Sequence, residues 1–166
     1  GGFGGKESQA TIFAAIAALA ANKIKKPVKL RLDRKTDMTV SGKRHDFKVK
    51  YEIGFNSKGK INGLDISLLS NGGNVLDLSG PVMTRALTHL DNCYSFKNFR
   101  ARGYICKTNT VSNTAFRGFG GPQGMFCIEN ILENISEYLN IDASIIRKNN
   151  FYQKNKKNIT HYGMKI

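Results

Sequence analysis

Apolar and polar positions recur with two different periods along this 166-residue chain. Over residues 46–55, Phe47, Val49, Tyr51, Ile53 and Phe55 alternate with Lys48, Lys50 and Glu52. A period of two predicts a β-strand with one buried face. Asn56-Ser57-Lys58-Gly59 supplies turn chemistry, and residues 60–69 return as a second strand, so the segment predicts a hairpin. Residues 28–33 alternate as well, Val28, Leu30 and Leu32 against Lys29, Arg31 and Asp33, and predict another strand. Residues 99–106 predict a further one.

Helical spacing holds elsewhere. Ile12, Ile16 and Leu19 recur among alanines over residues 6–21, a face suited to close packing, and Lys26-Pro27 ends that helix. Met125, Ile128, Leu132, Ile135 and Leu139 form one stripe of a long helix over 122–139. A short helix is predicted over 83–90, and Asp142 predicts the N-cap of another over 143–149. Residues 155–166 are polar and read as a ragged tail. The fold class is therefore α+β, with mixed strands and helices and no repeat beyond a pair of glycine-rich loops.

Those loops are Gly1-Gly2-Phe3-Gly4-Gly5-Lys6-Glu7 and Thr114-Ala115-Phe116-Arg117-Gly118-Phe119-Gly120-Gly121-Pro122-Gln123-Gly124. Each leads into an apolar helical pattern. Glycine permits positive φ and close backbone approach, and a helix start offers unpaired N–H donors with a positive dipole end. Two such loops read either as a cradle for an oxygen-rich anionic cofactor or as tight turns that pack helices closely. Neither is a P-loop, because Glu7 stands where Ser or Thr would bind Mg²⁺. Neither is a dinucleotide fingerprint, because Glu7 and Gln123 stand where the third glycine is needed.

Composition narrows the class. Hydrophobic residues make up 40% and charged residues 23%, as in a globular domain able to bury one modest core. No apolar run reaches transmembrane length and no secretory leader is evident, which reads as a soluble, cytoplasmic protein without a membrane partner. Cys93, Cys106 and Cys127 are widely spaced and read as buried free thiols. The net charge of +14 invites a nucleic-acid reading. Its cations, however, are spread over four stretches with no nucleic-acid motif around them. Solvated surface is the preferred reading, and a basic nucleic-acid-binding module is the rival from another class.

The two glycine loops, together with Arg85-Ala86-Leu87-Thr88-His89-Leu90-Asp91-Asn92-Cys93-Tyr94, resemble the molybdenum-binding portion of the xanthine dehydrogenase family. The resemblance runs from Gly1 to about Tyr152. It implies that residues 1–152 are part of a molybdenum cofactor-binding domain of the xanthine dehydrogenase/aldehyde oxidase type. It also implies that 153–166 are a polar tail continuing into a further segment, the chain reading as an internal fragment that is inactive alone. The implied cofactor is molybdenum-molybdopterin. In the parent enzyme 2Fe–2S clusters and FAD, in other domains or subunits, would pass electrons to NAD. The parent is expected to be homodimeric or a dimer of heteromers.

The resemblance also assigns roles to residues. The backbones of Phe3 and Gly4 would approach the molybdenum from one side and the main chain of Arg117 from the other, with no side-chain ligand. Glu7 and Arg85 would form the polar pair that positions a purine and stabilises developing negative charge, and Phe119 would stack on its ring. The general-base glutamate would lie outside this chain. The implied reaction is oxidative hydroxylation of hypoxanthine and xanthine, with water as the oxygen source. An aldehyde oxidase is the alternative within the family, and the polar pair Glu7 and Arg85 argues against it. Read from residue type alone, Glu7 is a first-turn acid facing its helix dipole, Arg85 a surface arginine, and Phe3 and Phe119 packing aromatics.

Overall fold

A computed structural model describes residues 3–5, 7–154 and 156–166. Its elements in chain order are α1 (Ala10–Ile24), α2 (Arg34–Val40), β1 (Phe47–Phe55), β2 (Ile61–Gly73), α3 (Ser79–Thr88), β3 (Phe99–Lys107), α4 (Gly121–Leu139) and α5 (Ala143–Asn150).

The hairpin forms where alternation predicts it. β1 pairs antiparallel with β2, with Val49 opposite Leu68 and Tyr51 opposite Ile66. Its turn is held by Asn56, whose Oδ1 accepts from the main-chain N–H groups of Lys58 and Lys60 at 3.0 and 3.1 Å. β3 joins the other side of β2 in parallel, which requires a crossover, and the segment carrying α3 supplies it.

One face of the three-stranded sheet is the core face. Ile61, Leu64, Ile66 and Leu68 of β2 are buried there, under Met83 and Ala86 of α3 and Cys127, Ile128, Ile131, Leu132 and Ile135 of α4. The other face stays polar, with Asp65 bridging Arg100 and Arg102 across strands. The sheet and the helices α3 and α4 thus form two layers, helices on one side of a sheet, in keeping with the α+β expectation.

α5 is locked on by satisfied polar groups. Asp142 Oδ1 caps it through Ser144 N–H at 2.8 Å, as predicted. The buried Asn150 amide donates to the carbonyls of Gly59 and Ile146 and accepts from Ile61 N–H, all at 2.8–2.9 Å. Glu129 of α4 accepts from Tyr94 Oη at 2.6 Å and Arg147 Nε at 2.8 Å, tying α4, α5 and the turn after α3 together.

Several expectations need correction. Residues 28–33 form no strand and pair with none of β1, β2 and β3. Asp33 instead caps α2, with Oδ1 accepting from Thr36 N–H at 2.9 Å. α1 starts later than its pattern suggests and buries none of its residues, so Ile12, Ile16 and Leu19 are 63%, 52% and 70% exposed. Alanine-rich composition is enough to favour the helix without packing. The buried stripe of α4 contains Cys127 and Ile131, whereas Met125 and Leu139 are only half-buried. Of the three thiols only Cys127 is buried, and burial pushes it up to about 11; Cys93 is exposed. The tail folds back: Thr160 is buried, and the His161 ring lies 4.6 Å from Phe99.

Candidate functional site

The two glycine loops meet backbone to backbone. In the first, Phe3 and Gly4 take φ values of 47° and 91°; in the second, the matching Phe119 and Gly120 take 54° and 98°. The shared Phe-Gly-Gly sequence thus makes the same left-handed step in both places. A β-carbon on Gly4 would sit 2.9 Å from the Ala115 carbonyl carbon, so only glycine allows this approach. Across the same junction, the Arg117 guanidinium lies over the Phe3 ring at 5.5 Å. Gly1, Gly2 and Lys6 of the first motif lie outside the described residues.

The second loop is also pressed onto α3. A β-carbon on Gly120 would collide with the Val82 carbonyl oxygen, and one on Gly124 with that of Ala86. This seats Arg85, in the last turn of α3, on the helix that backs the second loop, with its side chain exposed. Phe119 is half-buried; Phe3 and Arg117 are exposed at the junction. Glu7 is exposed between the first loop and α1. The structure therefore brings Phe3, Gly4 and Arg117 together and places Arg85 on the supporting helix.

The short segment 42–45 binds these pieces. Gly42 N–H donates to Gln9 Oε1 at 3.0 Å. The Lys43 carbonyl accepts from Thr114 N–H at 3.0 Å. Arg44 Nη2 donates to the Arg117 carbonyl at 2.6 Å, and its guanidinium lies over the Phe116 ring at 4.6 Å. His45 is buried, with Nε2 2.7 Å from Ser79 Oγ at the start of α3, and its carbonyl accepts from Gln123 Nε2 of α4 at 3.2 Å. In the sequence this stretch looks like one more run of surface cations. The one available signal was a histidine set among those cations, directly before the hairpin.

Two ionisable groups here are displaced. Burial holds the His45 imidazole below its ordinary value despite the nearby Asp77 and Asp46 carboxylates, so it is neutral near pH 7. Burial opposes ionisation of Asp77, but the Ser8 and Thr114 hydroxyls and the Gln9 amide outweigh it and hold the carboxyl below its usual range. Gln9 Nε2 donates to Asp77 Oδ2 at 3.2 Å, a tie from the first loop's flank to the approach to α3.

The residues fit an anionic cofactor held by main chain. Two buried polar atoms beside the second loop have no hydrogen-bond partner among the described residues, Arg44 Nη1 and Gln123 Oε1. Buried polar groups are ordinarily paired, so these two fit a polar occupant beside the loop. Arg44, Arg85 and Arg117 give the surroundings positive charge. Among the described residues no group of three or more His, Cys, Asp or Glu side chains is placed to ligate a metal.

The chain is similar to known proteins along its length. The family model of the molybdopterin cofactor-binding domain matches residues 1–151. The chain is 46% identical to a xanthine dehydrogenase of Emericella nidulans, over all of its own length and 12% of that protein's. It is 48% identical to a nicotinate hydroxylase of the same organism, over 92% of this chain and 11% of the relative. The aldehyde oxidoreductase structure from Desulfovibrio gigas superposes with a TM-score of 0.80 at 27% identity, covering 94% of this chain and 17% of that one. The chain thus spans about an eighth of the length of the two Emericella relatives and about a sixth of the solved chain.

Proposed function

The chain belongs to the molybdopterin cofactor-binding domain family, and from that premise we propose that it is the substrate-positioning part of a molybdenum hydroxylase acting on hypoxanthine and xanthine. The observation that carries the proposal is the junction of the two glycine loops, where Gly4 packs against Ala115 and Arg117 covers Phe3. When bound, the molybdenum cofactor supplies the two-electron oxidation that inserts a water-derived oxygen into a C–H bond.

The chain's own residues hold and orient. The main chain of Phe3 and Gly4 lines one side of the cofactor and that of Arg117 the other, as preorganised dipoles that need no reorientation. Phe119 offers a ring face to a flat heteroaromatic substrate. Glu7 hydrogen-bonds a purine ring nitrogen or exocyclic oxygen, and Arg85, permanently charged with a rigid donor fork, faces the negative charge that grows on the ring. The general base is outside the chain, as are the 2Fe–2S and FAD groups that carry electrons to NAD. The compartment is the cytoplasm. Among the described residues no helix is long and apolar enough to cross a membrane.

Similar identity to a xanthine dehydrogenase and to a nicotinate hydroxylase leaves the substrate to the pocket residues. The pair Glu7 and Arg85 favours a purine, with two polar edges to bind, over an aldehyde. The test is to incubate the full-length polypeptide that carries this chain with xanthine in isotopically labelled water. The reading expects bound molybdenum and label in urate; molybdenum without urate formation would move the assignment to another heteroaromatic or an aldehyde.

A further inference from the structure

We infer that Arg44 is a positioning residue for the second glycine loop, an inference that rests on the reading of the Arg117 main chain as facing the cofactor. Its guanidinium makes two contacts at once: an N–H bond from Nη2 to the Arg117 carbonyl at 2.6 Å, and a stack over Phe116 at 4.6 Å. The peptide unit joining residues 116 and 117 carries the Arg117 N–H. Arg44 grips the side chain just before that unit and the carbonyl just after it. Gly118 follows at φ 91°, a position where the chain could otherwise swivel. The clamp fixes the direction of the Arg117 N–H against that freedom.

Arg44 can act this way because it is itself held on both sides. Lys43 N–H donates to Asn113 Oδ1 at 3.3 Å, and the Lys43 carbonyl accepts from Thr114 N–H at 3.0 Å, the start of the second loop. His45 anchors to Ser79 of α3 and, through its carbonyl, to Gln123 of α4. The clamp therefore transmits the position of the helical layer to one peptide of the loop. Arginine suits the task, since its plane can stack by one face while its edge donates; lysine has neither the plane nor the fork.

The test compares the wild-type full-length polypeptide with Arg44→Met and Arg44→Lys. The readouts are molybdenum content, melting temperature, kcat and KM for xanthine, and amide hydrogen exchange of peptides covering residues 114–120. Both variants are expected to keep their metal and melting temperature. Exchange in that segment should rise roughly tenfold on loss of one charge-assisted bond. The kcat should fall roughly ten- to a hundredfold, as a misplaced group demands, with KM little changed. Wild-type exchange and kcat in Arg44→Met would overturn the inference. So would full rescue by lysine, which would make charge alone the agent, or a joint fall of metal content and melting temperature, which would make Arg44 a folding residue. A wild-type protein without molybdenum would defeat the functional reading instead, and the exchange measurement would still decide the clamp.

Discussion

Gly4 and Ala115 stand so close that a β-carbon on Gly4 would lie 2.9 Å from both the carbon and the oxygen of the Ala115 carbonyl. Two loops far apart in sequence are therefore one structural unit. Gly4→Ala would add this collision to a left-handed φ of 91°, a local strain of about 1–3 kcal/mol. Because α1 buries none of its residues, the core should not register the change. The expected outcome is a melting temperature within a few degrees of wild type, with molybdenum content reduced severalfold in the full-length polypeptide. Metal analysis beside a thermal melt checks both halves.

The contact between α3 and α4 should behave in the opposite way. A β-carbon on Gly120 would collide with the Val82 carbonyl, in a backbone that has no flexible end to give. Gly120→Ala is expected to destabilise the chain by about 1–3 kcal/mol through overpacking and strain. Ile128, fully buried at the centre of α4, should lose about 2–5 kcal/mol as Ile128→Ala through the cavity left behind. Urea unfolding of each variant gives the comparison, and a Gly120→Ala midpoint equal to wild type would mean that the helices can separate freely there.

Acid should weaken the fold in two steps. The folded-state value of His45 lies below its ordinary 6.5 because of burial, so the unfolded chain takes up a proton first and stability falls as pH drops below about 6.5. Burial raises the Glu129 carboxyl, but hydrogen bonds from Tyr94 and Arg147 outweigh it and hold it below its ordinary 4.5. Its contribution is complete above that pH and is lost as pH falls through the depressed value. Urea midpoints measured from pH 8 to pH 3 should lose the upper step in His45→Gln and show a smaller lower one in Glu129→Gln, where the depressed Asp77 carboxyl still contributes.

Much of this was legible in the chain, for local reasons. The hairpin declared itself through alternation and Asn56, α4 through a helical stripe, and α5 through Asp142, because each signal sits within its own element. The loops were legible because two clusters of glycine are conspicuous. Arg44 and His45 were not, because their partners Arg117 and Ser79 are distant in sequence and only the fold brings them close. Residues 28–33 misled because alternation describes a strand's faces and says nothing about whether a neighbour exists. Asp33, followed by Thr36 at capping distance, was a helix signal that the alternation obscured.

The most direct measurement is kcat/KM of the full-length polypeptide for xanthine, nicotinate and benzaldehyde, in wild type, Glu7→Ala and Arg85→Met. Xanthine is expected to be the preferred substrate of the wild type. Each substitution is expected to lower kcat/KM for xanthine by roughly two to four decades while sparing benzaldehyde. Equal losses on all three substrates, or none on xanthine, would make Glu7 and Arg85 structural and would contradict the purine assignment.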